Sequence, residues 1–193
     1  MRRGPKKGDC GMKNKSDGFS QQFLPDYTVG PEAYKDVAAV CGKYGTKAIA
    51  IGGKRALAAA KGELEKALNG SGIEILDFVW YGGEASFENA ENIMALDKFA
   101  QADMIFAFGG GKALDTCKYS AYVSKKPVFT FPTIAGTCAA ASSEAIMYYP
   151  SGVMRETVET GRPAVHIYKY KDYRRSSGGL FMDRYRRHYG KTF

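Results

Sequence analysis

The sequence predicts an α/β fold in which helices cover both faces of a parallel sheet. Short apolar segments alternate with amphipathic segments along most of the chain. Two of the apolar segments run directly into glycine clusters, Gly52-Gly53 and Gly109–Gly111. The segment Met104–Phe108 is apolar at every position, which is typical of a strand covered on both faces. Ligands of such sheets bind beyond the carboxyl ends of the strands, where these glycines are expected to lie.

Strands and helices are predicted to alternate in a Rossmann-like order. The predicted strands are Phe23–Val29 (an edge strand interrupted by Pro25), Lys47–Ile51, Ile73–Val79, Met104–Phe108 and Val128–Phe131. The predicted helices follow Pro31, Gly53, the capping residue Ser86 and Gly111, and they end near Cys41, Leu68, Ala100 and Ser124.

Charge divides the chain of 193 residues into three regions. Residues 1–18 are polar and rich in glycine, and we expect this leader to be disordered. Residues 19–168 form the predicted domain, and residues 169–193 form a basic tail. The net charge of +8 comes from the two ends, because residues 1–17 carry +4, residues 169–193 carry +6 and residues 18–168 carry −2. This distribution argues against nucleic acid as a partner of the domain.

The cysteines and the hydropathy predict a cytoplasmic protein that does not enter a membrane. The four cysteines show no CxxC pair and no metal-ligand spacing; they are Cys10, Cys41, Cys117 and Cys138. No apolar run approaches the roughly 18 residues that a membrane helix needs.

The strongest local motif is the glycine loop Gly109–Asp115, which follows a predicted strand and opens a predicted helix. Gly110 and Gly111 let the backbone approach a phosphate, and the N–H groups and dipole of the helix attract its charge. Lys112 adds a cation, and Asp115 either caps the helix or accepts a hydrogen bond from a ribose hydroxyl. The alternative is a tight turn with a capping acid, since the motif is neither a Walker A loop nor GxGxxG.

A second polar loop, Phe131–Thr137, also follows a predicted strand and is expected at the same sheet edge. Its small residues and the hydroxyls of Thr133 and Thr137 suit close contact with a sugar or a phosphate. Taken alone, this segment is only a polar loop.

Together the segments GGGKALDTCK, FPTIAGT and CAAASSEAIMY resemble the iron-containing alcohol dehydrogenase superfamily, especially its glycerol dehydrogenase branch. Its members carry GGGxxxDxAK, a strand, PTxxxT and a serine-containing segment that ends in tyrosine. The resemblance covers roughly residues 19–168, the nucleotide-binding half of such an enzyme. It implies that NAD or NADP accepts a hydride from a small polyol, alcohol or hydroxy acid, and it leaves a homo-oligomer open.

The resemblance assigns cofactor-binding roles to eight residues. Two of them, Ser142 and Tyr148, match positions beside the nicotinamide, although a capped turn and a core aromatic residue are their alternatives. The other six match the phosphate and ribose loop and the threonines that line the cofactor, and they are Gly110, Gly111, Lys112, Asp115, Thr133 and Thr137.

Two departures from the family pattern concern specificity. Glycerol dehydrogenases carry an aspartate that touches the polyol at the position of Cys138, whereas relatives acting on hydroxycarboxylates or 2-oxo acids have Thr-Cys-Ala there. Cys138 is therefore the substrate-side candidate, with simple packing as its alternative, and the substrate stays open. Gly53-Lys54-Arg55 replaces the acid with which NAD-preferring members hold the adenosine ribose, so NAD and NADP are both open.

The metal site of the family is expected to be missing. In full-length members a helical second domain supplies an aspartate and two histidines that hold a divalent zinc or iron ion. This chain offers only His166 and His188, which we expect at the surface, and no third ligand at useful spacing. Neither metal binding nor catalysis is expected of these 193 residues, and the architecture is predicted to stop before the metal-binding domain.

The tail Lys169–Phe193 lacks apolar periodicity and is predicted to be translated out of frame. One permitted back-translation, shifted by one nucleotide, encodes NTKIIEEAPVDCLWTGIGDTMAKL, which resembles the next segment of the family with its metal-binding GIGD. We expect the gene sequence beyond the Tyr168 codon to keep this neighbouring frame open and to encode two further metal-ligand histidines. An immediate stop codon in that frame would contradict the hypothesis.

Two other functions remain open. The chain is alternatively a stand-alone nucleotide-binding module whose basic tail contacts RNA or acidic surfaces, and salt-sensitive RNA binding that disappears without Lys169–Phe193 would favour it. The related class of dehydroquinate synthase and glycerol-1-phosphate dehydrogenase shares the architecture.

Overall fold

A computed structural model describes residues 26–134 and 136–169. The predicted leader, the tail from residue 170 onward and the first residues of the predicted edge strand lie outside these residues. The strands are β1 (Asp26–Val29), β2 (Lys47–Gly52), β3 (Glu74–Trp80), β4 (Met104–Gly109), β5 (Val128–Pro132), β6 (Glu144–Tyr148), β7 (Met154–Glu159) and β8 (Val165–Tyr168). The α-helices are α1 (Val37–Cys41), α2 (Lys54–Leu68), α3 (Phe87–Met94), α4 (Asp97–Gln101) and α5 (Gly111–Ser124), and two short 3-10 helices (Ala33–Asp36 and Gly42–Tyr44) flank α1.

Six of the strands form one sheet in the order β1-β8-β5-β4-β2-β3, and every neighbouring pair is parallel. From β2 the chain runs outward to β3 and then returns to the other side of β2 to form β4. The carboxyl ends of β2 and β4 are therefore adjacent at a topological switch point, where α/β sheets bind their ligands.

Alternate side chains of the buried strands feed two apolar clusters, one on each face of the sheet. On one face α1 and α2 pack over an aromatic group in which Phe108 stacks on Phe131 at 4.3 Å and Tyr34 contacts both rings edge-on. On the other face α3, α4 and α5 cover Ile49, Ile51 and Ile105. The predicted Rossmann-like sheet with helices on both faces is confirmed.

Two predicted helices are wrong, and three strands were missed. The helix expected from Ser86 to Ala100 is broken at Leu96, whose extended backbone separates α3 from α4, and each piece buries one apolar side chain, Ile93 and Phe99. The helix expected after Pro31 is mostly 3-10 turns around the short α1. The antiparallel hairpin of β6 and β7 and the strand β8 were not predicted.

His166 also departs from its prediction, because its ring is buried rather than at the surface. The residue lies on β8, between β1 and β5, where the sheet is covered on both faces. Its Nδ1 donates a hydrogen bond to the carbonyl oxygen of Ala140, 2.8 Å away. Burial lowers the pKa of the ring, which favours the neutral imidazole.

Within the part of the chain that the structure describes, no helix combines the length and the apolar character needed to cross a bilayer.

The close contact between β2 and β4 depends on Gly52. A methyl group at Gly52 would lie 2.1 Å from the carbonyl oxygen of Phe108, a backbone atom that cannot move without displacing the strand. That same carbonyl oxygen accepts a hydrogen bond from the N–H of Gly53 at 3.1 Å, which starts the turn into α2. The sheet edge at the switch point therefore requires glycine at position 52.

We expect Gly52→Ala to lower the free energy of unfolding by at least about 3 kcal/mol, because the added carbon overlaps the Phe108 carbonyl group. The matched control is Gly62→Ala in the exposed middle of α2, where no neighbouring atom lies within 4 Å of the new carbon. That control should raise the free energy of unfolding by about 0.5–1 kcal/mol. Urea unfolding measures both, and an unchanged midpoint for Gly52→Ala would contradict the expectation.

Candidate functional site

The candidate site is a crevice of about 480 Å³ at the carboxyl ends of β2 and β4. The glycine turns that follow these two strands form its floor. Lys54, Arg55 and Trp80 line one end, whereas Lys112 and Thr133 line the other. Among the described residues that line the crevice none is acidic, so its surface is electrically suited to an anion.

Two helices point their N-termini at this crevice. Helix α5 begins at Gly111, with Gly110 as its N-cap, and helix α2 begins at Lys54, with Gly53 as its N-cap. Neither N-cap supplies a side chain that accepts a hydrogen bond from the first turn. The first N–H groups of both helices are thus available to oxygen atoms of a ligand, and both dipoles favour negative charge.

The two predicted loops meet, as the sequence analysis expected. The N–H of Thr133 donates to the carbonyl oxygen of Gly109 at 3.0 Å. A side-chain carbon at Gly111 would lie 3.3 Å from Oγ1 of Thr137, so the second loop packs directly against the glycine loop. Gly109 itself has φ +143°, a conformation that favours glycine.

Lys112 is held at the rim of the crevice by a residue that the sequence analysis did not single out. Its Nζ lies 2.6 Å from Oε2 of Glu84 and 5.0 Å from the centre of the Tyr148 ring. The hydrogen bond to Glu84 raises the pKa of Lys112, which keeps the ammonium group charged. Tyr148 is therefore brought to the glycine loop, half-buried beneath the Lys112 ammonium group.

Asp115 does not cap the helix. It is the fifth residue of α5, because the helix begins at Gly111 rather than at Ala113, and its carboxylate is buried against Lys118 at 2.9 Å. Burial raises the pKa of Asp115, and the Lys118 ammonium group opposes that rise. Contact of Asp115 with a ribose stays a prediction.

Lys118 connects the glycine-loop helix to the hairpin. Its side chain is 1% exposed, and Nζ donates to Oγ of Ser142 at 3.1 Å and to the carbonyl oxygen of Glu144. Ser142 is thus fixed behind the loop through Lys118, and its placement beside a nicotinamide stays a prediction. Lys118 is the last residue of the GGGKALDTCK motif, so the sequence contained a signal for it.

Hydrogen bonds from two residues of the sheet hold the segment that carries Cys138. The carbonyl oxygen of Ala140 accepts hydrogen bonds from Thr130 Oγ1 at 2.9 Å and from the buried His166 ring. The carbonyl oxygen of Cys138 accepts from the N–H groups of Ala141 and Ser142, both at 2.9 Å. The Cys138 side chain is exposed rather than packed, and it does not line the crevice.

The opposite end of the crevice carries an aromatic and a cationic group. Trp80 ends β3 with its ring about half exposed, and Nζ of Lys54 lies 4.3 Å from the ring centre. Arg55 adds a second cation at the N-terminus of α2. The two cations were singled out from the sequence, whereas Trp80 was not.

The described residues do not fit the metal that the family resemblance implies. No group of three His, Cys, Asp or Glu side chains in residues 26–134 and 136–169 is arranged to hold a metal ion. His166 is committed to Ala140, and His188 lies outside the described residues. No metal chemistry follows from this part of the chain.

A parallel sheet with two uncapped helix N-termini at its switch point defines a Rossmann-like α/β unit. Comparison with known proteins gives the family, since the model of the iron-containing alcohol dehydrogenases matches residues 25–168. The chain belongs to this family, as the motifs predicted, and within it resembles the glycerol dehydrogenases.

The similar proteins include two curated glycerol dehydrogenases. The protein of Thermotoga maritima is 44% identical over 72 residues, which are 37% of this chain and 20% of the relative. The protein of Escherichia coli O6:H1 is 33% identical over 104 residues, which are 54% of this chain and 28% of the relative. The chain thus spans less than a third of the length of these relatives.

A solved structure supports the same fold. The crystal structure of glycerol dehydrogenase from Schizosaccharomyces pombe superimposes with a TM-score of 0.68 at 24% identity. The match covers 78% of this chain and 38% of that chain. At this identity the likeness establishes the fold alone.

We expect Lys118→Met to lower the free energy of unfolding by about 3–5 kcal/mol at pH 7, because it leaves the Asp115 carboxylate buried without a cation. The pKa of Asp115 is already raised by burial and should rise further without Lys118. A folded-state pKa above the unfolded one means that the folded state binds more protons. Lowering the pH from 7 to 5 should therefore restore part of the stability of this variant.

Urea unfolding at both pH values measures this effect. Lys35→Met is the matched control, because Lys35 forms an exposed ion pair with Glu32 and its loss should change stability far less. Equal losses for the two variants, or no recovery at pH 5, would contradict the proposed buried pair.

Proposed function

We propose that residues 26–169 are the dinucleotide-binding part of a metal-dependent, NAD(P)-linked dehydrogenase that oxidises a small polyol, alcohol or hydroxy acid. The observation that carries this proposal is the crevice between β2 and β4, onto which two uncapped helix N-termini converge. Membership of the iron-containing alcohol dehydrogenase family supports it. NAD or NADP, when bound, accepts the hydride that the substrate carbon loses.

The glycine loop is the proposed pyrophosphate site. Gly110 and Gly111 have no side chain of their own to shield their backbone N–H groups, and Lys112 adds a cation. Thr133 and Thr137 would contact the sugar or phosphate oxygens from the neighbouring loop. Asp115, as part of the pyrophosphate and ribose loop, and Ser142 and Tyr148, beside the nicotinamide, complete the proposed cofactor set.

The adenosine end is proposed to lie at Trp80, Lys54 and Arg55. The Trp80 ring offers an aromatic surface for the adenine base. Lys54 and Arg55 are cations, and no acidic side chain among the described residues that line the crevice would repel a 2′-phosphate. We therefore expect NADP to bind at least as tightly as NAD. The charge at the N-terminus of α2 would then decide the preference between NAD and NADP.

The substrate side is proposed to include Cys138, whose thiol is exposed at the start of the turn over Ala140. A thiol at this position, where an aspartate would offer a charged acceptor, makes glycerol only one of several candidate substrates. Residues 26–134 and 136–169 hold no metal-ligand group, so we propose that this part of the chain contributes the dinucleotide site and not the metal site.

The compartment is proposed to be the cytoplasm. Cys41 and Cys117 are free and buried, and burial raises the pKa of Cys41 to about 12, so this thiol is inert. Buried thiols in place of disulfides suit a reducing environment.

We expect Gly110→Asp to weaken NADH binding by about tenfold or more, because it places a carboxylate at the N-terminus where the phosphates are proposed to bind. The backbone of Gly110 (φ −92°) suits any residue, and aspartate is a preferred N-cap. The new side-chain carbon would lie 3.3 Å from Cδ1 of the exposed Ile134 side chain, which can shift, so α5 should be retained. Trp80 is the single tryptophan of the chain and lies in the crevice. Its fluorescence, quenched by energy transfer to the reduced nicotinamide, measures the dissociation constant.

Gly110→Asn is the matched control, since it has the same shape without the charge and should lose less affinity. NADPH is titrated in parallel to compare the two cofactors. Failure of the wild-type chain to bind either dinucleotide would overturn the proposed function.

A further inference from the structure

The Lys112 side chain has two competing partners, the Glu84 carboxylate and the phosphate that is proposed to bind at the glycine loop. It is the cation of the glycine loop and lines the crevice, yet its ammonium group is bonded to Glu84, which is outside the crevice lining. A lysine ammonium group can donate to a carboxylate and to a phosphate together, but it carries a single compact charge, so each anion weakens the attraction that the other one feels. A phosphate at the helix N-terminus would therefore share the charge of Lys112 with Glu84.

Glu84 is the fixed member of this ion pair. Its side chain is 19% exposed, and Oε1 accepts a hydrogen bond from the N–H of Ala85 at 3.0 Å. Its carbonyl oxygen accepts from Nδ2 of Asn89 at 2.9 Å, and the carbonyl oxygen of Ala85 accepts from the N–H of Tyr148 at 2.7 Å. The loop that carries Glu84 is thus anchored to both α3 and β6.

Lys112 is the movable member. Its side chain is 47% exposed and has four rotatable bonds, and its second neighbour, the Tyr148 ring, offers a diffuse attraction rather than a directed bond. The ion pair is short but partly open to water, so its strength is comparable with that of a new contact to a phosphate.

We propose that Glu84 sets the affinity of the crevice for anionic nucleotides by competing with their phosphates for Lys112. This inference rests on the proposed function, since it assumes that the crevice binds a dinucleotide. Glu84 acts through Lys112 and is a positioning residue rather than a ligand contact. Its carboxylate keeps the affinity of the crevice for the dinucleotide moderate.

The test compares Glu84→Gln with the wild-type chain by Trp80 fluorescence titration of NADH. Glutamine keeps the shape and the acceptor for Ala85 but removes the charge, so the dissociation constant should fall by about three- to tenfold. Adenosine, which has no phosphate, should bind both chains equally. Glu88→Gln is the control, because it removes the same charge from the exposed start of α3 without touching Lys112 and should change affinity less than twofold.

A double-mutant cycle isolates the role of Lys112. In the Lys112→Met background, Glu84→Gln should tighten NADH binding by less than about twofold, since no lysine charge remains to be shared between Glu84 and the phosphates. Circular dichroism and the melting temperature verify that each variant is folded.

The outcomes separate the two proposals. Wild-type binding of NADH without tightening in Glu84→Gln, or equal tightening for adenosine, would overturn the role of Glu84 and leave the proposed function intact. Absence of NADH binding to the wild-type chain and to Glu84→Gln alike would overturn the proposed function and, with it, this inference.

Discussion

The close approach of β2 and β4 is the constraint on which the site depends. Where the backbone of Gly52 meets the Phe108 carbonyl group there is no room for a side-chain carbon, and the same carbonyl oxygen binds the N–H of Gly53. This contact aligns the ends of two strands, and both following helices start from that line. Two helix dipoles are thereby directed at one crevice, which a single glycine loop could not achieve.

A second set of contacts holds the segment between β5 and β6 near the carboxyl ends of β2 and β4. The buried Lys118 ammonium group joins α5 to the start of β6, and the Ala140 carbonyl oxygen is bonded to two residues of the sheet, Thr130 and His166. Each of these bonds satisfies a buried polar group that would otherwise destabilise the fold. Residues 136–143, which precede β6 and form neither a helix nor a strand, are positioned by these contacts rather than by a regular backbone.

The positive charge of the crevice follows from the ion pairs that surround it. Acidic side chains near the site are committed to lysines: Asp115 to Lys118 in the interior and Glu84 to Lys112 at the rim. The cations Lys54 and Arg55 at the far end lie by the N-terminus of α2. The described part of the crevice therefore attracts anions along its whole length, and the Glu84 ion pair is the contact that limits this attraction.

Local signals in the sequence determined much of this protein. Apolar runs that end in glycines identified the strands and turns of the sheet, and the joint spacing of the GGGKALDTCK and FPTIAGT motifs identified the family, because both depend on neighbours in the chain. The 3-10 turns around α1, the break at Leu96 and the hairpin were missed, since they are decided by packing against distant residues. Only the tertiary structure paired Lys112 with Glu84, buried His166 and brought Trp80 to the crevice, because each of these contacts joins segments that are far apart in sequence and have no periodic pattern in common.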